Sequence, residues 1–255
     1  MIIKRHNTEK GRIYIREGPE KFSLEETTVW SFPDRGKWAT HSGKYRGNWS
    51  PYVPRNLILR YSKENDWILD QFLGSGTTLI EAKLLGRNAI GVDVNPESIK
   101  LSNSNLNFSN HSNSKIFTRQ GSARDISFIK DNSIDMICTH PPYANIIEYS
   151  QDIAEDISHL HYEDFISAMR DVAKEAYRVL KSKAICAFMI GDVREKGYVR
   201  PLGMDTMKIF TEAGFQLKEI IIKEQHNCRS TEYWQKKKKD FFMLAHEYIF
   251  VLEKQ

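Results

Sequence analysis

The sequence predicts an α/β protein, with a doubly wound, mostly parallel sheet closed by a C-terminal antiparallel hairpin. Three observations predict it. An apolar run, Trp67-Ile68-Leu69, ends at Asp70 and passes through a glycine turn into a helix-like segment from Leu79 to Leu85. A second apolar run, residues 88–92, ends at another acid, Asp93. Beyond them β-like runs and helical periodicities alternate, until two late strands, 215–223 and 241–252, follow one another. Alternating strands and helices build parallel sheets, and a terminal strand pair adds an antiparallel edge.

Composition narrows the class. A chain of 255 residues with 40% hydrophobic content suits one domain with a substantial core. Lys plus Arg is 37 against 33 for Asp plus Glu, a net charge of +4 that serves nucleic-acid binding only where it is clustered. The start, Met1-Ile2-Ile3-Lys4-Arg5-His6, lacks the apolar block of a signal peptide, and no apolar run approaches a membrane span. A cytoplasmic protein without membrane contact is expected. Cys138, Cys186 and Cys228 are odd in number and far apart, which reads as reduced thiols and not as a metal site.

In chain order, residues 1–48 are polar and glycine-broken and read as an N-terminal arm, with Arg12-Ile13-Tyr14-Ile15 as a candidate edge strand. Residues 38–49 interleave Lys44, Tyr45, Arg46 and Trp49, a mixture suited to holding a phosphate backbone or a base. Pro54 opens a helix whose apolar face is Leu57, Ile58 and Tyr61. Asn95-Pro96 starts another, ending near Leu106, before a third strand at 115–119 and a small-residue turn, Ser122-Ala123-Arg124-Asp125. A fourth strand, 134–139, leads into His140-Pro141-Pro142-Tyr143. Phe165, Met169, Val172, Ala173, Ala176 and Leu180 recur at helical spacing, so residues 162–180 form a core-packing helix. A fifth strand, 184–190, and a helix, 201–213, precede the closing strands. Between those strands, residues 224–240 carry Arg229, Trp234 and the run Lys236-Lys237-Lys238-Lys239. Lysines suit phosphates and Arg suits base edges, so this segment reads as a short nucleic-acid recognition loop.

The turn at 70–78 points to a particular ligand. Gly74 and Gly76 allow close approach to the backbone. The phosphate-binding lysine of a P-loop and the third glycine of the dinucleotide fingerprint are both missing. An acid at position 70 would repel a pyrophosphate but attract an ammonium group. That favours S-adenosylmethionine, with Asp93 placed to accept from ribose hydroxyls.

Phe72-Leu73-Gly74-Ser75-Gly76 together with His140-Pro141-Pro142-Tyr143 resembles the amino-group DNA methyltransferases. These pair Phe-x-Gly-x-Gly with Asp/Asn/Ser-Pro-Pro-Tyr/Phe/Trp. The resemblance covers roughly residues 49–252, within a catalytic domain at 49–255, and implies a Rossmann-like methyltransferase fold, S-adenosylmethionine as cofactor and double-stranded DNA as substrate. A restriction-modification role, with a cognate nuclease as partner, comes with it by analogy. Carried over, the cofactor residues are Asp70, Phe72, Gly74, Ser75, Gly76, Thr77, Thr78, Asp93, Val94, Asp125 near the adenine and Pro54 beside the methionine end. The catalytic set is His140, Pro141, Pro142 and Tyr143, and Lys44, Arg46, Arg229, Trp234, Lys236, Lys237 and Lys238 are the nucleic-acid contacts.

The first position of the second motif departs from the family, since His140 stands where Asp, Asn or Ser is usual. Two readings follow. Neutral His140 serves as acceptor, and transfer falls as pH drops through its imidazole pKa, about 6.5 if unperturbed. Alternatively the chain is a catalytically weak DNA-binding member. Thr139 leans the reading to cytosine-N4, with adenine-N6 beside it, and RNA or protein-glutamine methylation are the other enzymatic alternatives.

Overall fold

The computed structural model describes residues 17–144, 153–226 and 240–255. Among them eight strands form one sheet, in the order β1-β9-β10-β6-β5-β2-β3-β4. The elements along the chain are β1 (Val29–Trp30), α1 (Tyr52–Tyr61), β2 (Trp67–Asp70), α2 (Thr77–Leu84), β3 (Asn88–Asp93), α3 (Pro96–Leu106), β4 (Ile116–Gln120) and β5 (Ile134–Thr139). There follow α4 (Tyr162–Val179), β6 (Leu180–Ile190), β7 (Val193–Glu195), β8 (Tyr198–Arg200), α5 (Leu202–Glu212), β9 (Phe215–Glu224) and β10 (His246–Lys254). Strands β4, β3, β2, β5 and β6 run parallel, whereas β10 is antiparallel to both β6 and β9. This is the doubly wound sheet with a closing hairpin that the sequence predicts.

The central strands are apolar on both faces because helices cover both. Along β6, Cys186, Phe188 and Ile190 face α4 and α5, while Ile185, Ala187 and Met189 face the layer of α1 and α2. Strand β10 repeats the alternation with Phe250 and Leu252 against Ile249 and Val251. Period-2 side chains buried on either side produce the near-continuous apolar runs of the sequence.

Local chemistry sets the element boundaries that matter for the site. Asn95 caps α3 by accepting from the Glu97 N–H at 2.9 Å, with Pro96 at the first helical position. Gly76 precedes α2 at φ 88°, a conformation that favours glycine. Gly91, inside β3, is a packing glycine, because a Cβ there would lie 2.6 Å from Leu73 Cδ1 and 2.9 Å from Leu79 Cδ2. Both leucines are buried. Gly91→Ala is therefore expected to lower stability by about 1–3 kcal/mol, read as a lower denaturant midpoint at unchanged slope.

Three features differ from the sequence expectation. A hairpin, β7–β8, follows β6 through Lys196 and Gly197, both at positive φ, and its three-residue strands are too short to carry a periodic signal. Strand β6 starts at Leu180, directly from α4, where the sequence placed a break before Ala184. The arm supplies its own edge strand, since β1 pairs parallel with β9. The candidate strand at 12–15 lies outside the described residues. The described part of the arm sends tryptophans inward, for Trp30 and Trp38 are 3% exposed and the Trp38 indole N–H donates to buried Glu81 at 2.6 Å.

Candidate active site

The chain leaves β2 toward β3 on one side and returns to β5 on the other, so the ends of β2 and β5 flank a topological switch point. A cavity of about 770 Å³, measured to its open mouth, lies there. Its walls come from the turn after β2, the ends of β3 and β5, the residues around 122–124 and 155–157, and the arm at 45–49.

The turn and the two acids are one hydrogen-bonded unit. The Gly74 N–H donates to Asp93 Oδ2 at 2.8 Å, and the Asn95 N–H donates to Oδ1 at 2.9 Å. Each oxygen of Asp93 is thus fixed by a backbone donor and keeps acceptor capacity for a ligand hydroxyl. Burial raises the pKa of Asp93 against these bonds. Asp70, 2% exposed, accepts from the Thr139 hydroxyl at 2.7 Å and the Phe72 N–H at 3.1 Å. Loss of hydration still pushes its pKa up to about 6, with Asp93 adding a smaller push. Asp70, Asp93, Glu155 and Asp156 make the cavity acidic. The guanidinium of Arg124, also on the wall, is held by Asp171 at 2.8 Å. An acidic cradle beside a glycine turn suits a ligand with an ammonium group and ribose hydroxyls and opposes a polyphosphate.

The arm closes the other wall. Arg35 donates to the carbonyls of Asn48 and Trp49, and the Asn48 side chain accepts from the Thr77 hydroxyl at 2.5 Å. Tyr45 packs against Gly74, its hydroxyl 3.0 Å from Ser98 Oγ, and burial pushes its pKa up to about 12.

At the end of β5, half-buried His140 lies on the cavity wall with Trp49 stacked on it, ring centroids 5.4 Å apart at 18°. Its Nε2 is 3.2 Å from the Tyr143 hydroxyl, which donates to Glu247 Oε1 at 2.6 Å. Glu247 Oε2 is 2.9 Å from Lys223 Nζ. Desolvation lowers the His140 pKa to about 4, outweighing the opposite pull of Glu247 and assisted by Lys223 and Arg35. The condition of an unperturbed imidazole is not met, so His140 is a neutral imidazole throughout the physiological range.

Most of the sequence-selected cofactor residues meet here. Asp70, Phe72, Gly74, Ser75, Thr77, Asp93 and Val94 line the cavity together with His140 and Pro142. Gly76, Thr78, Pro141 and Tyr143 are not on its lining. Pro54 is buried within α1, away from the wall. Asp125 is also off the wall. Its carboxylate accepts from the Ser127 N–H at 3.0 Å, which lowers its pKa and makes it a turn residue. Lys44 and Arg46 are exposed beside Tyr45. Arg229, Trp234, Lys236, Lys237 and Lys238 lie outside the described residues. The contributions of Asn48, Asp156 and Glu247 carried no motif in the sequence. Among the described residues, no three His, Cys, Asp or Glu side chains cluster as a metal site, and no helix is long and apolar enough to cross a membrane.

Comparison with known proteins returns a family model described as DNA methylase, matched at residues 1–104 and 134–255, and an RMKL-like methyltransferase domain matched at 58–192. The Type II methyltransferase M2.LlaDCHI of Lactococcus lactis subsp. cremoris is 37% identical over 113 residues, 42% of this chain and 41% of that protein. M2.DpnII of Streptococcus pneumoniae is 43% identical over 77 residues, 30% and 28% of the two chains. A tRNA (guanine(10)-N2)-dimethyltransferase of Methanothermobacter thermautotrophicus is 31% identical over 125 residues, 49% of this chain and 35% of that protein. The chain thus spans less than half the length of these curated relatives. Among solved structures, a SAM-dependent methyltransferase from Methanosarcina mazei shares the fold at TM-score 0.56 and 16% identity, covering 78% of this chain and 96% of that one. TrmN from Thermus thermophilus shares it at TM-score 0.55 and 20% identity, covering 82% and 50%.

Proposed function

The chain belongs to the DNA methylase family of S-adenosylmethionine-dependent methyltransferases, and from that premise we propose that it methylates an exocyclic amine of a DNA base. The observation that carries the proposal is the shared cavity, whose wall holds both the acidic glycine-turn cradle and His140 and Pro142 of the second motif. Asp70 pairs with the ammonium of the cofactor and Asp93 accepts from its ribose. Bound there, S-adenosylmethionine would supply an electrophilic sulfonium methyl and a neutral thioether leaving group.

The chain's own residues make the amine reactive. An exocyclic amine is a poor nucleophile because its lone pair is delocalised into the ring. Neutral His140 accepts one N–H, and the carbonyl of Pro141 takes the other. Holding both turns the nitrogen toward tetrahedral geometry and localises the lone pair for attack. The methylated nitrogen then loses one proton to water at the open mouth of the cavity. Reaching the cavity requires the base to leave the duplex, and the rings of Trp49 and His140 on the cavity wall offer a surface for it.

The lean to cytosine-N4 comes from Thr139, whose hydroxyl donates to Asp70 at 2.7 Å. Cytosine and adenine amines present the same pair of N–H groups to His140 and Pro141, so either base fits this mechanism. The similarity to Type II methyltransferases supports a protective role alongside a cognate nuclease. The similarity to a tRNA dimethyltransferase supports a second reading, RNA as substrate. A competition assay separates them. Transfer of labelled methyl to genomic DNA should be suppressed by unlabelled duplex DNA and not by transfer RNA. The reverse order of inhibition would favour RNA.

A further inference from the structure

Resting on the reading that His140 meets the target amine, we propose that Glu247 is a positioning residue. Through the Tyr143 hydroxyl it holds His140 in the Nε2–H tautomer, which leaves Nδ1 as the acceptor. The argument follows the donors along the chain of contacts. Lys223 Nζ sits 2.9 Å from Glu247 Oε2, and the two residues are cross-strand partners on β9 and β10. Burial alone would raise the Glu247 pKa, but Lys223 and the Tyr143 hydroxyl hold it below the ordinary value. Glu247 is therefore ionised and can only accept.

Tyr143 has a single O–H, and it donates to Glu247 Oε1 at 2.6 Å. The Tyr143 oxygen can then only accept along its 3.2 Å contact with His140, so the proton of that contact belongs to Nε2. A neutral imidazole carries one N–H, and with it on Nε2 the lone pair lies on Nδ1. No partner to Nδ1 occurs among the described residues, and that atom is not among the buried unsatisfied ones. The stacked Trp49 ring resists the flip that would exchange the two nitrogens.

This arrangement answers the departure at position 140. An Asp or Asn side chain presents an acceptor oxygen without any tautomer to choose, whereas a histidine in the other tautomer would turn an N–H toward the amine's own N–H. The substitution of His into the motif works only where something sets its tautomer, and Glu247 does so from β10, which is separated from β5 only by β6.

The direct test is ¹⁵N-histidine labelling of the full chain with long-range ¹H–¹⁵N correlation, which distinguishes the neutral tautomers. His140 is assigned by its loss in His140→Asn. The expected result is an Nε2–H tautomer in the native protein and a mixed population in both Tyr143→Phe and Glu247→Gln. An Nδ1–H tautomer in the native protein, or no change in Glu247→Gln, would overturn the proposal. No substrate is needed, so this result stands apart from whether DNA is the acceptor. In single turnover, Glu247→Gln should cost about tenfold, a usual scale for loss of a supporting contact, with cofactor Kd unchanged. In a His140→Asp background the same change should cost less than about twofold, because the coupling is gone. Equal costs in the two backgrounds would assign Glu247 a merely structural role.

Discussion

Asp70→Asn is expected to weaken S-adenosylmethionine binding by roughly 30- to 100-fold, the scale of a lost charged hydrogen bond in a buried site. The same substitution should raise the stability of the protein. Asp70 is 2% exposed and its pKa stands near 6 against an ordinary 3.8, which corresponds to roughly 2–3 kcal/mol spent on keeping the carboxylate ionised at neutral pH. Asparagine keeps an Oδ1 to accept from the Thr139 hydroxyl and the Phe72 N–H, so the local bonds survive. The sign follows from linkage. An acid whose folded pKa is raised binds more protons in the native state, so its stability penalty is full above pH of about 6 and relieved as pH falls toward about 4. Chemical denaturation should show the variant more stable at pH 7, with the advantage shrinking below pH 6. Cofactor titration in the native protein should weaken below about pH 6, as Asp70 takes up a proton and loses its attraction for the ammonium. A variant that binds cofactor as tightly as the native chain would remove Asp70 from the site.

His140→Ala should lower the single-turnover rate at saturating cofactor by about 100- to 1,000-fold, as for removal of one preorganised hydrogen-bond partner of a reacting group. Cofactor Kd should stay within about threefold, because the acids and the glycine turn that hold the cofactor are untouched. The pH profile of the same step carries the complementary information. With a pKa near 4, His140 remains an acceptor, so the single-turnover rate at saturating cofactor should not fall between about pH 8 and pH 5.5. The contrast is sharp, since cofactor affinity declines below pH 6 through Asp70 while the chemical step does not. A rate that followed an ordinary imidazole, halving near pH of about 6.5, would mean that His140 is hydrated and not held on the cavity wall.

What could be read from sequence was local. The turn from Asp70 to Thr78 announces itself because Gly74 and Gly76 need positive φ and the flanking strand and helix have their own periodicities. Asp93 follows from the strand before it, and α4 from a stripe of Phe165, Met169, Val172 and Ala176. What stayed hidden was assembled by long-range packing. Tyr45, Asn48 and Trp49 reach the cavity because Arg35 pins their loop and Thr77 meets Asn48, contacts with no sequence signature. Glu247 meets Tyr143 across 104 positions only because β10 inserts beside β6. The position of Asp125 off the cavity lining has a local origin. Its own local bond to the Ser127 N–H competes for the carboxylate and keeps it on the surface.

The most direct measurement is incubation of the chain with methyl-labelled S-adenosylmethionine and unmethylated genomic DNA, followed by digestion to nucleosides and mass spectrometry. The account predicts label on an exocyclic amine, as N4-methylcytosine or N6-methyladenine, and its loss in His140→Ala. Cofactor binding with no labelled nucleoside in DNA, or label on a ring carbon, would contradict it.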